Sequence, residues 1–156
     1  EGRHRFIRVN LANGDMVGHT GVLPAAIVAM EVVDECVGRI ASEVEAAGGT
    51  LVVTADHGNL DMMLEVDGEG RVSLDAAGEP MVKTSHTLSP VPFAVLGAAT
   101  GHLEVDPTLQ NPGLGNLAAT LLLLLGLEPP EHYLPAIVRP GKALSRESLT
   151  ARMPFC

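Results

Sequence analysis

The chain has 156 residues, 46% hydrophobic, 19% charged and only 3% aromatic. That is one ordinary domain or a large piece of one, and it excludes disorder, collagen and a disulfide scaffold. Ten Lys and Arg against nineteen Asp and Glu leave a formal charge of −9, which argues against unspecific attraction to nucleic acid or to an anionic membrane. The two cysteines, Cys36 and Cys156, make no paired framework and fit a reducing, cytoplasmic setting. The densest apolar run, Leu117 to Leu125, is too short to span a bilayer. The chain opens at Glu1 with neither an initiator Met nor a signal-peptide pattern, as expected of a piece cut from a longer protein.

Taken in chain order, Phe6 to Leu11 is β-rich and ends in Asn13-Gly14-Asp15, predicting a strand and then a turn. From Pro24 to Ala47 the apolar residues Ile27, Met30, Val33, Val37, Ile40 and Val44 recur every three or four positions, and Gly48-Gly49 closes the run. This predicts an amphipathic helix with Pro24 in its first turn. Thr50 to Thr54 is continuously apolar and β-branched, the pattern of a strand covered on both faces, and it stops at Asp56-His57-Gly58. Strand, helix, strand predicts a βαβ unit in a parallel sheet. Residues 65–83 carry the Gly and charge signals of a hairpin or exposed excursion, with turns at Asp67-Gly68 and Ala77-Gly78. Pro92 to Leu96 reads as a third strand. Leu117 to Leu125 reads as a second helix, apolar nearly all round and therefore buried on most sides. Pro129, Pro130, Pro135 and Pro140 predict an extended tail.

Three stretches at predicted strand ends or in loops leading to strands carry the candidate metal ligands: Asp15 and His19, Asp56 and His57, and His86. In open α/β sheets such loops converge on one crevice, so the five can meet. A four-residue spacing puts Asp15 and His19 on one face of a helical turn. Adjacent Asp56 and His57 can share a site only if the chain turns, which Gly58 permits. Two carboxylates and three imidazoles suit Mn²⁺ or Zn²⁺ better than Ca²⁺ or Mg²⁺ alone. Each stretch by itself has an ordinary explanation as a surface pair or an Asx turn; their joint occurrence at equivalent strand ends is what points to metal. His4, His102 and His132 lack partners of this kind and read as solvated or capping residues. Asn10, Asn13 and Thr20 read equally as ligand-orienting or as turn residues.

The strings Asn10-Leu11-Ala12-Asn13-Gly14-Asp15-Met16-Val17-Gly18-His19-Thr20-Gly21, Thr54-Ala55-Asp56-His57-Gly58-Asn59, and Ser85-His86-Thr87 leading to Pro90-Val91-Pro92 resemble the C-terminal part of cofactor-independent phosphoglycerate mutases, members of the alkaline phosphatase superfamily. Gly115 to Thr120 with Gly126-Leu127-Glu128 is similar to that family's final helix, and residues 67–83 to an insertion before its last metal histidine. The resemblance implies an α/β, alkaline-phosphatase-like fold with a mainly parallel sheet and flanking helices, incomplete at its N-terminal side. It implies one Mn²⁺ held by Asp15, His19 and His86, and a second held by Asp56 and His57 with an aspartate and a nucleophilic serine that nothing in this sequence matches. Zn²⁺, Co²⁺ or Mg²⁺ are the expected substitutes. The implied reaction interconverts 3- and 2-phosphoglycerate through a phosphoserine, and the expected parent is a monomer with phosphoglycerate as its partner and neither nucleic acid nor membrane. The stretch itself is expected to lack turnover and to be free to self-associate through an unpaired sheet edge. The alternatives are another phosphoryl or sulfuryl transferase of the superfamily, such as phosphopentomutase or a phosphatase, and a non-catalytic metal-binding or assembly module.

Overall fold

The computed structural model describes residues 4–141; Cys156 lies outside them. The first element is a short helix, α1 (Asn13–Gly18), and after a turn at Gly21 the chain enters the long helix α2 (Leu23–Ala46). Pro24 occupies the first turn of α2, where its missing N–H costs nothing. The helix stops where Gly48 takes a φ of 68° and the Gly49 N–H bonds back to the Val44 carbonyl. Among the described residues no helix is long and apolar enough to cross a membrane.

The inward face of α2 is shifted by one position from the predicted stripe over its first half. Ala26 and Ala29 are buried, whereas Ile27 and Met30 are 52% and 44% exposed. Helix α1 packs on α2, and the Met30 Sδ lies beside Gly14 of α1. Val33, Val37, Ile40 and Val44 keep the expected side.

The strands correct the expectation of a parallel sheet. β1 (Thr50–Thr54) pairs antiparallel with β2 (Phe93–Gly97), with Thr50 opposite Gly97 and Thr54 opposite Phe93. β3 (Leu103–Val105) pairs antiparallel with β4 (Val138–Pro140). The link between β1 and β2 runs out along a β-meander and returns, so no crossover helix is present to make the pair parallel. Phe6 to Leu11 is not assigned as strand, and Ile7 and Val9 are 72% and 60% exposed. β-Rich composition makes a strand only where a neighbouring edge is available to pair with it.

The third helix, α3 (Leu117–Leu124), follows a 3₁₀ turn at Leu114–Asn116. Ala99, Leu124 and Val138 form a buried cluster, against which Val52, Phe93, Val95, Leu103 and Leu123 pack. Two polar residues fasten the extended tail to this cluster. Asn116 accepts the Gly113 N–H and donates to the Pro135 carbonyl. The fully buried Thr120 donates to the Asn116 carbonyl and accepts the Ile137 N–H, each at 2.8 Å.

The excursion between β1 and β2 is a folded meander, with bridges joining Leu64 to Val82, Val66 to Val72 and Leu74 to Pro80. Its turns are made by carboxylates: Asp67 accepts the Glu69 and Arg71 N–H groups, and Asp75 accepts those of Ala77 and Glu79. The left-handed glycines are Gly70 and Gly78, so the first turn closes two residues beyond Gly68. The Arg71 amide and guanidinium beside Asp67, and the Glu79 and Ala77 amides beside Asp75, hold both carboxyls below the ordinary range.

Two outcomes are expected. Thr120→Val should destabilise the fold by about 1–3 kcal/mol, because the buried Ile137 N–H loses its acceptor; thermal or urea denaturation measures this. A carboxyl with a depressed folded pKa contributes stability that is present above the unfolded value and lost as pH falls through the folded one. The Glu69, Arg71, Ala77 and Glu79 amide resonances should therefore hold until the pH is below about 3.9, the unperturbed Asp value, and move together beneath it. A midpoint at or above that value in an NMR titration would contradict the capping role.

Candidate metal centre

Three segments meet at one carboxylate. Asp15 lies in α1 and His19 immediately follows it, so the four-residue spacing brings their side chains together, with Asp15 Oδ1 3.2 Å from His19 Nε2. The loop after β1 brings His57, and the segment leading to β2 brings His86. His86 Nε2 lies 2.9 Å from Asp15 Oδ1 and 3.2 Å from His19 Nε2. Ligand atoms of Asp15, His57 and His86 all fall within 4.8 Å of one another. His57 Nε2 is 4.0 Å from Asp15 Oδ1 and 3.6 Å from Asp56 Oδ1, and the His57 and His86 rings stack with centroids 3.5 Å apart. Asp56 stands at the rim, its side chain 82% exposed, and touches the group through His57.

The orientation of each donor has a traceable cause. His19 Nδ1 lies 2.6 Å from the Thr84 carbonyl, which can only accept, so Nδ1 carries the proton and the Nε2 lone pair faces the cluster. His57 Nδ1 sits 3.3 Å from the Gly58 carbonyl and leaves Nε2 inward in the same way. Asp15 is aimed by the buried Asn59, whose Nδ2 donates to Oδ1 at 2.9 Å. Asn59 fits there because Gly18 has no side chain: a Cβ would collide with the Asn59 amide and approach Leu60. The Asn59 hydrogen bond, followed by the nearby imidazoles of His19, His86 and His57, holds the Asp15 carboxyl below its ordinary range against the opposing effect of desolvation.

The donor set fits a divalent metal. Asp15 Oδ1, His19 Nε2 and His86 Nε2 form a triangle with edges of 2.9, 3.2 and 3.2 Å. Bonds of about 2.1 Å to one ion require donor separations of about 3.0–3.4 Å for octahedral to tetrahedral angles. One carboxylate with imidazoles is a borderline set that suits Mn²⁺, Co²⁺ or Zn²⁺.

Four of the five residues singled out by spacing, Asp15, His19, His57 and His86, thus converge, and Asp56 lies beside them. Thr20 completes the end of α1, donating to the Val17 carbonyl and accepting the Val22 N–H. The supporting roles of Asn59 and the Thr84 carbonyl were not legible beforehand. Asn59 stands beside the Asp56-His57-Gly58 string, but a turn explains an Asn there just as well, and a carbonyl acceptor has no sequence signature.

Residues 1–129 match the model of the metalloenzyme superfamily. The chain is 48% identical over 139 residues to a probable 2,3-bisphosphoglycerate-independent phosphoglycerate mutase of Leptospira interrogans, covering 89% of this chain and 25% of that protein. It is 42% identical over 138 residues to the corresponding mutase of Trypanosoma brucei, again covering 25% of it. A crystal structure of Leishmania mexicana phosphoglycerate mutase at low cobalt concentration superposes with a TM-score of 0.82 at 43% identity, over 86% of this chain and 25% of that one. The chain thus spans about a quarter of the length of these relatives.

Gly18→Ala should push Asn59 away from α1 and cost about 1–3 kcal/mol through overpacking, read as a lowered Tm. Asn59→Ala, which spares the glycine, should let the Asp15 carboxyl rise toward its ordinary range, observable by NMR titration of the carboxyl carbon. An unchanged Asp15 titration would show that Asn59 does not control it.

Proposed function

This chain belongs to the metalloenzyme superfamily, and from that premise we propose that it is part of a divalent-metal-dependent phosphoglycerate mutase, an isomerase of glycolysis acting in the cytoplasm. The observation that carries this reading is the triangle of Asp15, His19 and His86 donors in a chain 42–48% identical to such mutases. In this reading those three residues hold one ion, most simply Mn²⁺, with Co²⁺, Zn²⁺ or Mg²⁺ as substitutes. Asp56 and His57 contribute to a second, together with an aspartate and a serine that nothing in these 156 residues matches. The substrate is phosphoglycerate, whose phosphoryl group passes between the 3- and 2-hydroxyls through a phosphoserine.

The residues present have definite tasks. Asp15 supplies an anionic donor that Asn59 keeps ionised and aimed. His19 and His57 present Nε2 because their Nδ1 protons are engaged by carbonyls, and His86 closes the triangle. Bound metal supplies Lewis acidity, which lowers the pKa of an attacking hydroxyl and offsets charge on the phosphoryl oxygens. Asp56, out at the rim, is the residue with most freedom to turn toward a ligand.

Calorimetric titration of MnCl₂ into the chain should show one tighter site. His86→Ala should weaken it by more than the about 10- to 100-fold lost with an outer-shell partner alone, whereas His57→Ala should spare it. Equal affinity in the chain and His86→Ala would discard the assignment. In a coupled mutase assay the chain alone should give no turnover, and activity should appear when the remaining part of a mutase, bearing the aspartate and serine, is supplied. Bound metal without activity even then would favour a non-catalytic metal-binding module.

A further inference from the structure

His57 and His86 come from segments far apart in sequence, yet their rings stack at 3.5 Å with only 14° between planes. What sets this spacing lies beside them. Thr87 donates its N–H to the Gly58 carbonyl at 2.9 Å, and Gly58 and Thr87 form an isolated antiparallel bridge, so the residue after each histidine is paired with the other. The buried Thr87 then turns its hydroxyl onto Asp61, with Oγ1 3.0 and 2.9 Å from the two carboxylate oxygens. Gly58 is the gap through which this tie passes: a Cβ there would collide with both Thr87 Oγ1 and the Asp61 carboxylate. The Ser89 side chain beside the Asp61 carboxylate helps to hold that group below its ordinary range. One carboxylate therefore collects bonds from the His86 segment while belonging to the His57 loop.

We propose that Asp61 is a positioning residue, which through Thr87 clamps the His86 segment to the His57 loop and so holds His86 Nε2 against the Asp15 and His19 donors. It acts on the ligands from behind. The assignment rests on the metal-centre reading above for its purpose, and on the clamp's own geometry for its existence.

The two parts separate experimentally. In the metal-free full chain, NMR should show contacts between the His57 and His86 ring protons. These should be lost in Thr87→Val and Asp61→Asn and kept in Thr87→Ser, which retains the hydroxyl. With MnCl₂ as the probe, Thr87→Val and Asp61→Asn should bind about tenfold more weakly and Thr87→Ser within about twofold of the parent. Where Thr87→Val or Asp61→Asn leaves too little folded chain, Ser89→Ala removes the hydroxyl beside the same carboxylate and should weaken binding by about threefold, a smaller step in the same direction. Ring contacts that persist in the folded Asp61→Asn and Thr87→Val chains, or a Ser89→Ala chain identical to the parent, would overturn the clamp whatever the metal does. Loss of the ring contacts in a chain that binds no MnCl₂ would sustain the clamp and defeat the metal reading.

Discussion

The arrangement turns on a single oxygen, Asp15 Oδ1, toward which imidazole nitrogens approach from the sides of His19 and His86 at 3.2 and 2.9 Å. Lone pairs brought this close repel unless something positive lies among them, a proton or a cation. The surrounding fold serves to hold them there. Asn59 fixes the carboxylate, the Thr84 carbonyl fixes His19, and the pairing of Gly58 with Thr87 fixes the other two rings relative to each other. Each of these tethers joins two different stretches of chain, so the site depends on tertiary structure although its donors sit in short local strings.

Among the described residues the buried apolar set is small, centred on Ala99, Leu124 and Val138, while Phe6, Ile7, Val9, Ile27 and Val28 are half exposed or more in this quarter-length chain. Much of the organisation is therefore polar. Thr120 and Asn116 stitch the tail to α3, Asp67 and Asp75 build the meander's turns, and Arg139 bonds Glu104 at 2.8 Å across β3 and β4. Such bonds contribute modestly one by one, but leaving a buried member unpaired is costly.

The meeting of Asp15, His19, His57 and His86 was legible because metal chemistry restricts residue type and because Asp and His four apart must share a helical face. The long helix was legible from its period, and its stop from Gly48-Gly49. The inward face of its first half was not, since the burial of Ala26 and Ala29 rather than Ile27 and Met30 depends on what packs against the helix, a tertiary fact. Strand direction was misread for a related reason: residues 50–54 look the same whether their neighbour runs parallel or antiparallel, and the meander that decides it carries only turn signals. Gly18 read as one member of a recognisable string and Gly58 as a turn. Their structural use is to leave room for Asn59, and for Thr87 and Asp61, which only coordinates can reveal.

The meander is attached to the centre at its root alone. Lys83 N–H bonds the Met63 carbonyl, Leu64 bridges Val82, and the next residue along, Thr84, holds His19. Beyond that root the turns at Gly70 and Gly78 reach outward into solvent. Chain added to or trimmed from those tips leaves the pinned base as it was, so this arm can drift in length, or carry a foreign peptide or a label, while the imidazole at its foot keeps its aim.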